Sequence, residues 1–186
     1  MHLPLALNEQ LPLRTGRLVL VPLDPSHATD LAAMLADPVV MTWFPRPMTL
    51  PESEQWLRRT IDRYAAHGTG LWAVLRADGG TRAFLGDSGL QVRSFGGRTH
   101  LELGYHFARH AWQQGYATEA ARACVALAFR HTAVEEVIAL IRPENEPSRR
   151  VARKVPMRPA GAVLHAGLVH DVWRVTRQTP GGKPIQ

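Results

Sequence analysis

Phe107-Ala-Arg-His-Ala-Trp-Gln-Gln-Gly-Tyr-Ala-Thr-Glu119 is the stretch whose reading decides the fold. Residues leading into it alternate: Leu101, Leu103, Tyr105 and Phe107 face one way, and Glu102, Gly104 and His106 face the other. That period of two predicts a β-strand over His100 to Phe107. Beyond it, Ala121, Cys124, Val125 and Ala128 recur at helical spacing, the core stripe of a helix from about Ala117 to His131. Val137-Ile-Ala-Leu-Ile141 is apolar throughout, as a strand covered on both faces would be. Two strands bridged by one helix imply a right-handed parallel crossover. The chain turns at Gly115 just before the helix. The unpaired N–H groups of a helix's first turn, with the helix dipole, favour a phosphate-sized anion there, and a glycine lets the backbone approach it. A tight turn accounts for one glycine equally well. The sequence contains no Gly-x4-Gly-Lys-Ser/Thr and no early Gly-x-Gly-x-x-Gly, which argues against a P-loop and a dinucleotide fold.

Upstream, Arg17 to Pro22 reads as a strand. Asp24-Pro25 opens a helix with Leu31, Met34 and Leu35 on its inner face, and Pro38 ends it. Thr49-Leu-Pro-Glu52 fits a capping box for a second helix, with a stripe of Leu57, Ile61, Tyr64 and Ala65 and a terminator at Gly68. The loop Met41 to Pro47 carries two aromatics, Trp43 and Phe44, suited to a substrate mouth or to burial against the helices. Leu71 to Leu75 and Ala83 to Val92 are strands joined by a turn at Asp78-Gly-Gly. Downstream, a short helix begins near Asn145 and ends by Val155, before Pro156. Two last strands, Arg158 to His165 and Leu168 to Arg177, pair around Ala166-Gly167. The fold class expected is α/β (α+β): a mixed, mostly antiparallel central sheet with one parallel strand–helix–strand crossover and helices on both faces. Residues 13–178 read as a single domain, residues 1–12 as a flexible arm and residues 179–186 as a flexible tail.

The chain of 186 residues, 45% apolar and 20% charged, has the composition of an ordinary globular protein. No stretch is apolar enough to span a membrane, and the amino terminus lacks a signal-peptide pattern, so the cytoplasm is the expected location. The single cysteine, Cys124, excludes an internal disulfide and a thiolate metal cluster. The nine histidines show no metal-ligand spacing, so no metal is expected. A net charge of +6 suits a polyanionic small ligand; the dispersed arginines and the absence of a recognition motif argue against nucleic acid.

His110-Ala-Trp-Gln-Gln-Gly-Tyr-Ala-Thr-Glu-Ala-Ala-Arg122 closely resembles the pyrophosphate-binding motif of the GNAT acetyltransferases, and more closely the branch of the ribosomal-protein N-terminal acetyltransferases. The family's Arg/Gln-x-x-Gly-x-Gly/Ala is matched as Trp112-x-x-Gly115-x-Ala117. Pro143-Glu-Asn145-x-x-Ser148 looks like the segment whose Asn touches the pantetheine arm, and Leu101 to His106 like the strand before the motif. The likeness spans about Leu13 to Arg177. It departs at Trp112, where Arg or Gln is usual, and at Lys154-Val-Pro-Met157, where Lys-Leu-Gly-Phe is usual. Pro156 cannot reproduce the family's left-handed glycine cap, so this helix is expected to terminate differently.

The resemblance implies acetyl-CoA as co-substrate and direct attack of a neutral amine on the thioester in a ternary complex. It places backbone N–H groups of Gln113, Gln114, Gly115, Tyr116, Ala117 and Thr118 on the pyrophosphate, Asn145 on the pantetheine and Arg149 near a phosphate. The backbone near Phe107, where the parallel strands splay in this family, is the candidate oxyanion donor. Glu102 is the candidate base, since a similarly placed Glu has that role in the N-terminal branch; a solvated or salt-bridged glutamate is the alternative. Ser148 is the candidate acid for the departing thiolate, or else a first-turn hydroxyl bonding backbone. His106, on the face of Glu102, is either a proton relay or a partly exposed strand histidine. The acceptor is a protein N-terminal α-amine or a small-molecule amine. A non-catalytic CoA-binding module is the competing reading, and the resemblance makes a homodimer plausible.

Overall fold

A computed structural model of the protein describes residues 5–77 and 83–177. The turn expected at Asp78 and the expected tail at 179–186 lie outside the described residues. The alternating segment forms β5 (Arg98–Phe107), which pairs antiparallel with β4 (Phe84–Phe95) through a tight turn at Gly96-Gly97. Further out lie β3 (Leu71–Arg76), β2 (Leu18–Pro22) and the two-residue β1 (Leu13–Arg14). On the other side, β6 (Glu136–Ile141) runs parallel to β5, and β8 (Leu168–Thr176) joins β6 to the edge strand β7 (Arg158–His165). The sheet order is β1-β2-β3-β4-β5-β6-β8-β7, with one parallel pair. The expected mixed, mostly antiparallel sheet and its crossover are therefore present.

The crossover helix α3 (Tyr116–His131) buries Ala121, Cys124, Val125 and Ala128 completely, as its spacing predicts. They pack on Leu18, Leu20, Leu101 and Leu103 of the sheet. The opposite face is covered by α1 (Ala28–Ala36) and α2 (Leu50–His67), whose Leu31, Leu35 and Leu57 pack with Ala73, Leu75 and Phe84. Alternation along β3, with Val74 to one core and Ala73 and Leu75 to the other, keeps the two cores apart. Full burial of each such leucine contributes about 1.5–3 kcal/mol.

Three local expectations change. The arm expected over residues 1–12 is packed where it is described: Leu7 is fully buried in a short 3-10 turn (Leu7–Gln10). Asn8 donates its N–H to the Gly68 carbonyl at 2.9 Å and accepts from Trp72 Nε1 at 2.8 Å. On α2 the buried face runs through Ser53, Leu57 and Thr60, and Ala65 is exposed. The expected capping box at Thr49 and the left-handed Gly68 (φ 65°) bound that helix. Finally, α4 (Glu146–Lys154) closes with Met157 N–H on the Ala152 carbonyl at 2.9 Å, the six-to-one bond a glycine cap makes. Pro156 sits at φ 20°, far from the ring's preferred value near −65°. Since the bond comes from Met157, the missing proline N–H does not prevent it.

Candidate active site

β5 and β6 pair at one position only, Glu102 with Ile138, and separate beyond it. Ala108 N–H bonds to the Leu85 carbonyl, so antiparallel alternation turns the N–H of Phe107 toward the gap left by β6. A cavity of about 430 Å³ opens there. One wall comes from the loop before α3 and from α4, including Gln113, Gly115, Thr118, Asn145 and Ser148. The other comes from Val40, Trp43 and Phe44 and from His106. The two aromatics of the 41–47 loop thus line the mouth.

The loop before α3 is a main-chain cradle. Gln113 (φ 61°) and Gly115 (φ 82°) both adopt left-handed backbone around Gln114, and concave runs of N–H groups of this kind bind anions. Among the described residues no protein acceptor takes the backbone N–H of any residue from Gln113 to Thr118; the next, Glu119, bonds to the Gly115 carbonyl at 3.1 Å. Arg17 holds the loop from behind. It donates from Nη1 to the Gln114 carbonyl at 3.0 Å and from Nε to Glu119 Oε2 at 2.8 Å, and it lies 4.6 Å from the Tyr116 ring centre. Thr15 adds a bond to Glu119 at 2.6 Å. A second, basic groove bordered by Arg14, Arg17, Arg122 and Lys154 shares Gly115 and Thr118 with the cavity. The single motif glycine signalled the cradle; nothing near it in sequence signalled Arg17 and Thr15.

Trp112, the departure from the usual Arg or Gln, donates its indole N–H to the Phe107 carbonyl at 2.6 Å. It fixes the end of β5 beside the Phe107 N–H. Asn145 caps α4, its Oδ1 accepting from Ser148 N–H at 3.1 Å, and the residue lines the cavity. The Ser148 hydroxyl bonds no protein group among the described residues, so it does not serve as a first-turn backbone bond; the Ser148 carbonyl instead accepts from Tyr105 OH at 2.9 Å. Burial pushes the Tyr105 phenol well above its ordinary value, so this hydroxyl stays protonated.

Two of the expected site residues, Arg149 and Glu102, are placed elsewhere. Arg149 donates to the Pro143 carbonyl at 3.0 Å and lies over Trp173, turned from the cavity; Arg150 lines it. Gln114 ties its side chain to the His110 carbonyl at 2.7 Å, and its backbone N–H, the group expected at the site, stays in the cradle. Glu102 is 8% exposed, paired with Arg93, and outside the cavity.

His106, on the same strand face as Glu102, lines the cavity where Glu102 does not. Its Nδ1 lies 2.8 Å from Oδ1 of Asp87, the residue opposite it on β4. Asp87 is fully buried and its Oδ2 has no hydrogen-bond partner among the described residues, so His106 is the group that balances it. A carboxylate accepts, which places the ring proton on Nδ1 and the free lone pair on Nε2. Burial by itself lowers the His106 pKa; the charge and hydrogen bond of Asp87 outweigh it, and the net direction is upward from 6.5. Phe44 and Trp56 pack about the ring, with centres 5.4 and 6.5 Å away.

Comparison with known proteins agrees with this geometry. The family model of the acetyltransferase (GNAT) domain matches residues 17–158. The uncharacterised protein YkkB of Bacillus subtilis is 35% identical over 134 residues, 72% of this chain and 77% of its own length. A Bordetella pertussis structure described as a GnaT-family acetyltransferase superposes with a TM-score of 0.73 at 25% identity, covering 87% of this chain and 97% of that one. The structure of RimL, a ribosomal L7/L12 alpha-N-protein acetyltransferase in complex with coenzyme A, has the same fold: TM-score 0.68, 17% identity, 89% and 97% coverage.

Proposed function

Because the chain belongs to the GNAT acetyltransferase domain family, we propose that its cavity holds acetyl-CoA and passes the acetyl group directly to a primary amine. The observation that carries this reading is the row of unpartnered N–H groups from Gln113 to Thr118 at the edge of the cavity. They suit the pyrophosphate, and the basic groove beyond them suits the nucleotide end of the same molecule. The Asn145 amide is placed to meet the pantetheine arm.

The neutral amine attacks the thioester carbonyl. Phe107 N–H stabilises the developing oxyanion, a contribution of about 10²–10³ in rate for such a donor. His106 Nε2 takes the amine proton, with Asp87 holding the ring in the required tautomer, for about 10²–10⁴ in rate. The departing thiolate takes a proton through the Ser148 hydroxyl, which regains one from the proton that His106 took from the amine, so that both side chains end unchanged. Glu102 is left with a structural role in its pair with Arg93. An α-amine, ordinarily near pKa 7.7–8.0, asks less of such a base than a lysine side chain near 10.4, so an N-terminal α-amine or a small amine of similar basicity is the acceptor. A hydroxyl without a partner among the described residues and an Asp-backed histidine, both lining one cavity, favour a catalyst over a CoA-binding module. The test is free-thiol release from acetyl-CoA with a panel of primary amines: amine-dependent release supports the reading, and binding of acetyl-CoA without transfer to any amine contradicts it.

A further inference from the structure

The segment from Val39 to Phe44 supplies a wall that the transfer chemistry leaves without a task. Val39, Val40, Trp43 and Phe44 line the active-site cavity together with His106. Val40 is buried and Trp43 half-buried, whereas Val39 is 42% and Phe44 37% exposed. Among the described residues the other large apolar side chains left exposed are Leu50, Trp112, Leu164 and Val169. Of all these, Val39, Phe44 and Trp112 meet in this one cavity, and exposed apolar groups gathered in a concave site mark a ligand surface. The ring centres of Phe44 and His106 are 5.4 Å apart, so an amine held at His106 has its carbon body beside Phe44.

The same wall offers no charge to a substrate. Among the described residues no carboxylate lines the cavity, and the lysine and arginine that do, Lys154 and Arg150, belong to α4 on the cofactor side. Charged groups on the neighbouring elements are engaged with one another. Asp37 accepts from the Val39 N–H at 2.8 Å and lies 3.8 Å from Arg109. Glu52 accepts from Arg46 and from the Thr49 N–H, at 2.9 and 2.8 Å. Asp87 is held by His106. A second ammonium on the acceptor therefore meets no counter-charge, and a carboxylate meets no lysine or arginine on this wall. Either gives up water without a replacement partner. An apolar body gains by leaving water there.

We propose that the acceptor is a primary amine carried on an aromatic or bulky aliphatic body with no second charge, which Val39, Trp43 and Phe44 take up beside His106. This rests on the acetyltransferase reading and names its substrate class. Amines with a second ammonium or a carboxylate near the reacting nitrogen are disfavoured. Trp43 and Phe44 supply the flat surface on which an aromatic body stacks or meets edge to face.

The test measures thiol release at saturating acetyl-CoA with phenylalaninamide, leucinamide, alaninamide, lysinamide, glutamic acid α-amide and spermidine. The amino-acid amides share an α-amine, so the side chain is what varies. The expected result is a kcat/KM for phenylalaninamide and leucinamide about tenfold or more above each of the others. Two variants trace the preference to the wall, each read as a ratio within one protein so that partial inactivation cancels. In Trp43→Ala the ratio of phenylalaninamide to alaninamide falls to within about threefold. Val39→Asp, at an exposed position that tolerates the change, raises lysinamide relative to phenylalaninamide by about two- to fivefold, as an exposed ion pair allows. Active transfer with a flat series, with preference for a charged amine, or with an apolar preference that survives Trp43→Ala overturns the proposal and leaves the acetyltransferase reading intact. Binding of acetyl-CoA without thiol release to any amine is a different failure, that of the acetyltransferase reading, and the substrate class falls with it.

Discussion

On the α3 side of the cavity the working groups are main-chain amides, those of Gln113 to Thr118, set by two left-handed residues in one short loop. On the α2 side they are side chains, His106 and Asp87, drawn from two strands that only the folded sheet brings together. The first arrangement is indifferent to most side-chain changes and vulnerable to backbone ones. The second is the reverse. A cradle of amides suits a ligand common to a whole family, and a set of individual side chains suits whatever one member acts on.

Variants separate the two sides. Gly115→Glu strains the cradle backbone at φ 82° and sets a charged side chain beside Arg17, which holds the loop, with its Cβ 3.5 Å from Nη2. It is expected to weaken acetyl-CoA binding at least a hundredfold, read by titration, with the far-ultraviolet circular dichroism of the wild type. His106→Ala is expected to lower kcat/KM by about 10²–10⁴ while leaving acetyl-CoA affinity unchanged; a matching loss of affinity erases the distinction between the sides. Asp87→Asn moves a pH profile. His106 acts as a base when neutral, so kcat/KM rises with pH through its elevated pKa, above 6.5. Removing the Asp87 charge lowers that pKa and shifts the acid limb to lower pH. Linkage supplies an opposite sign for stability: the raised His106 pKa contributes fully below the unfolded value near 6.5 and is lost as pH rises through the folded value. The wild type but not Asp87→Asn therefore loses this increment on going to alkaline pH in thermal melts. The smallest effect belongs to Gln113→Gly, which relieves a non-glycine residue at φ 61°. Relief of about 1 kcal/mol or slightly more, less the added flexibility of the unfolded chain, leaves a rise in Tm of about 1–3 °C.

The same contrast explains what the sequence disclosed. The cradle is legible because its parts are consecutive: a strand end, Gly115, and a helix whose stripe of Ala121, Cys124, Val125 and Ala128 is spaced as the core requires. The mixed, mostly antiparallel character of the sheet followed from alternation and the crossover. The α2 side was less legible. Asp87 and His106 are 19 positions apart and meet through strand register, which no local pattern reports. Glu102 is the base that the family resemblance offers, and its capture by Arg93 depends on the same register. Arg149 and Arg150 are adjacent, and the rotation of α4 about its axis decides which reaches the cavity. Leu7 lies among residues that lack a repeating pattern, and its burial depends on a space beside Trp72 that only the assembled sheet creates. Proline at 156 argued against a glycine-type closure, yet the bond that closes α4 belongs to Met157.

The central claim is that the cradle holds acetyl-CoA independently of the chemistry opposite it. Calorimetric titration of the wild-type protein and of His106→Ala with acetyl-CoA tests it most directly. The account predicts one saturable site of equal affinity in both proteins. Absence of binding by the wild type contradicts it.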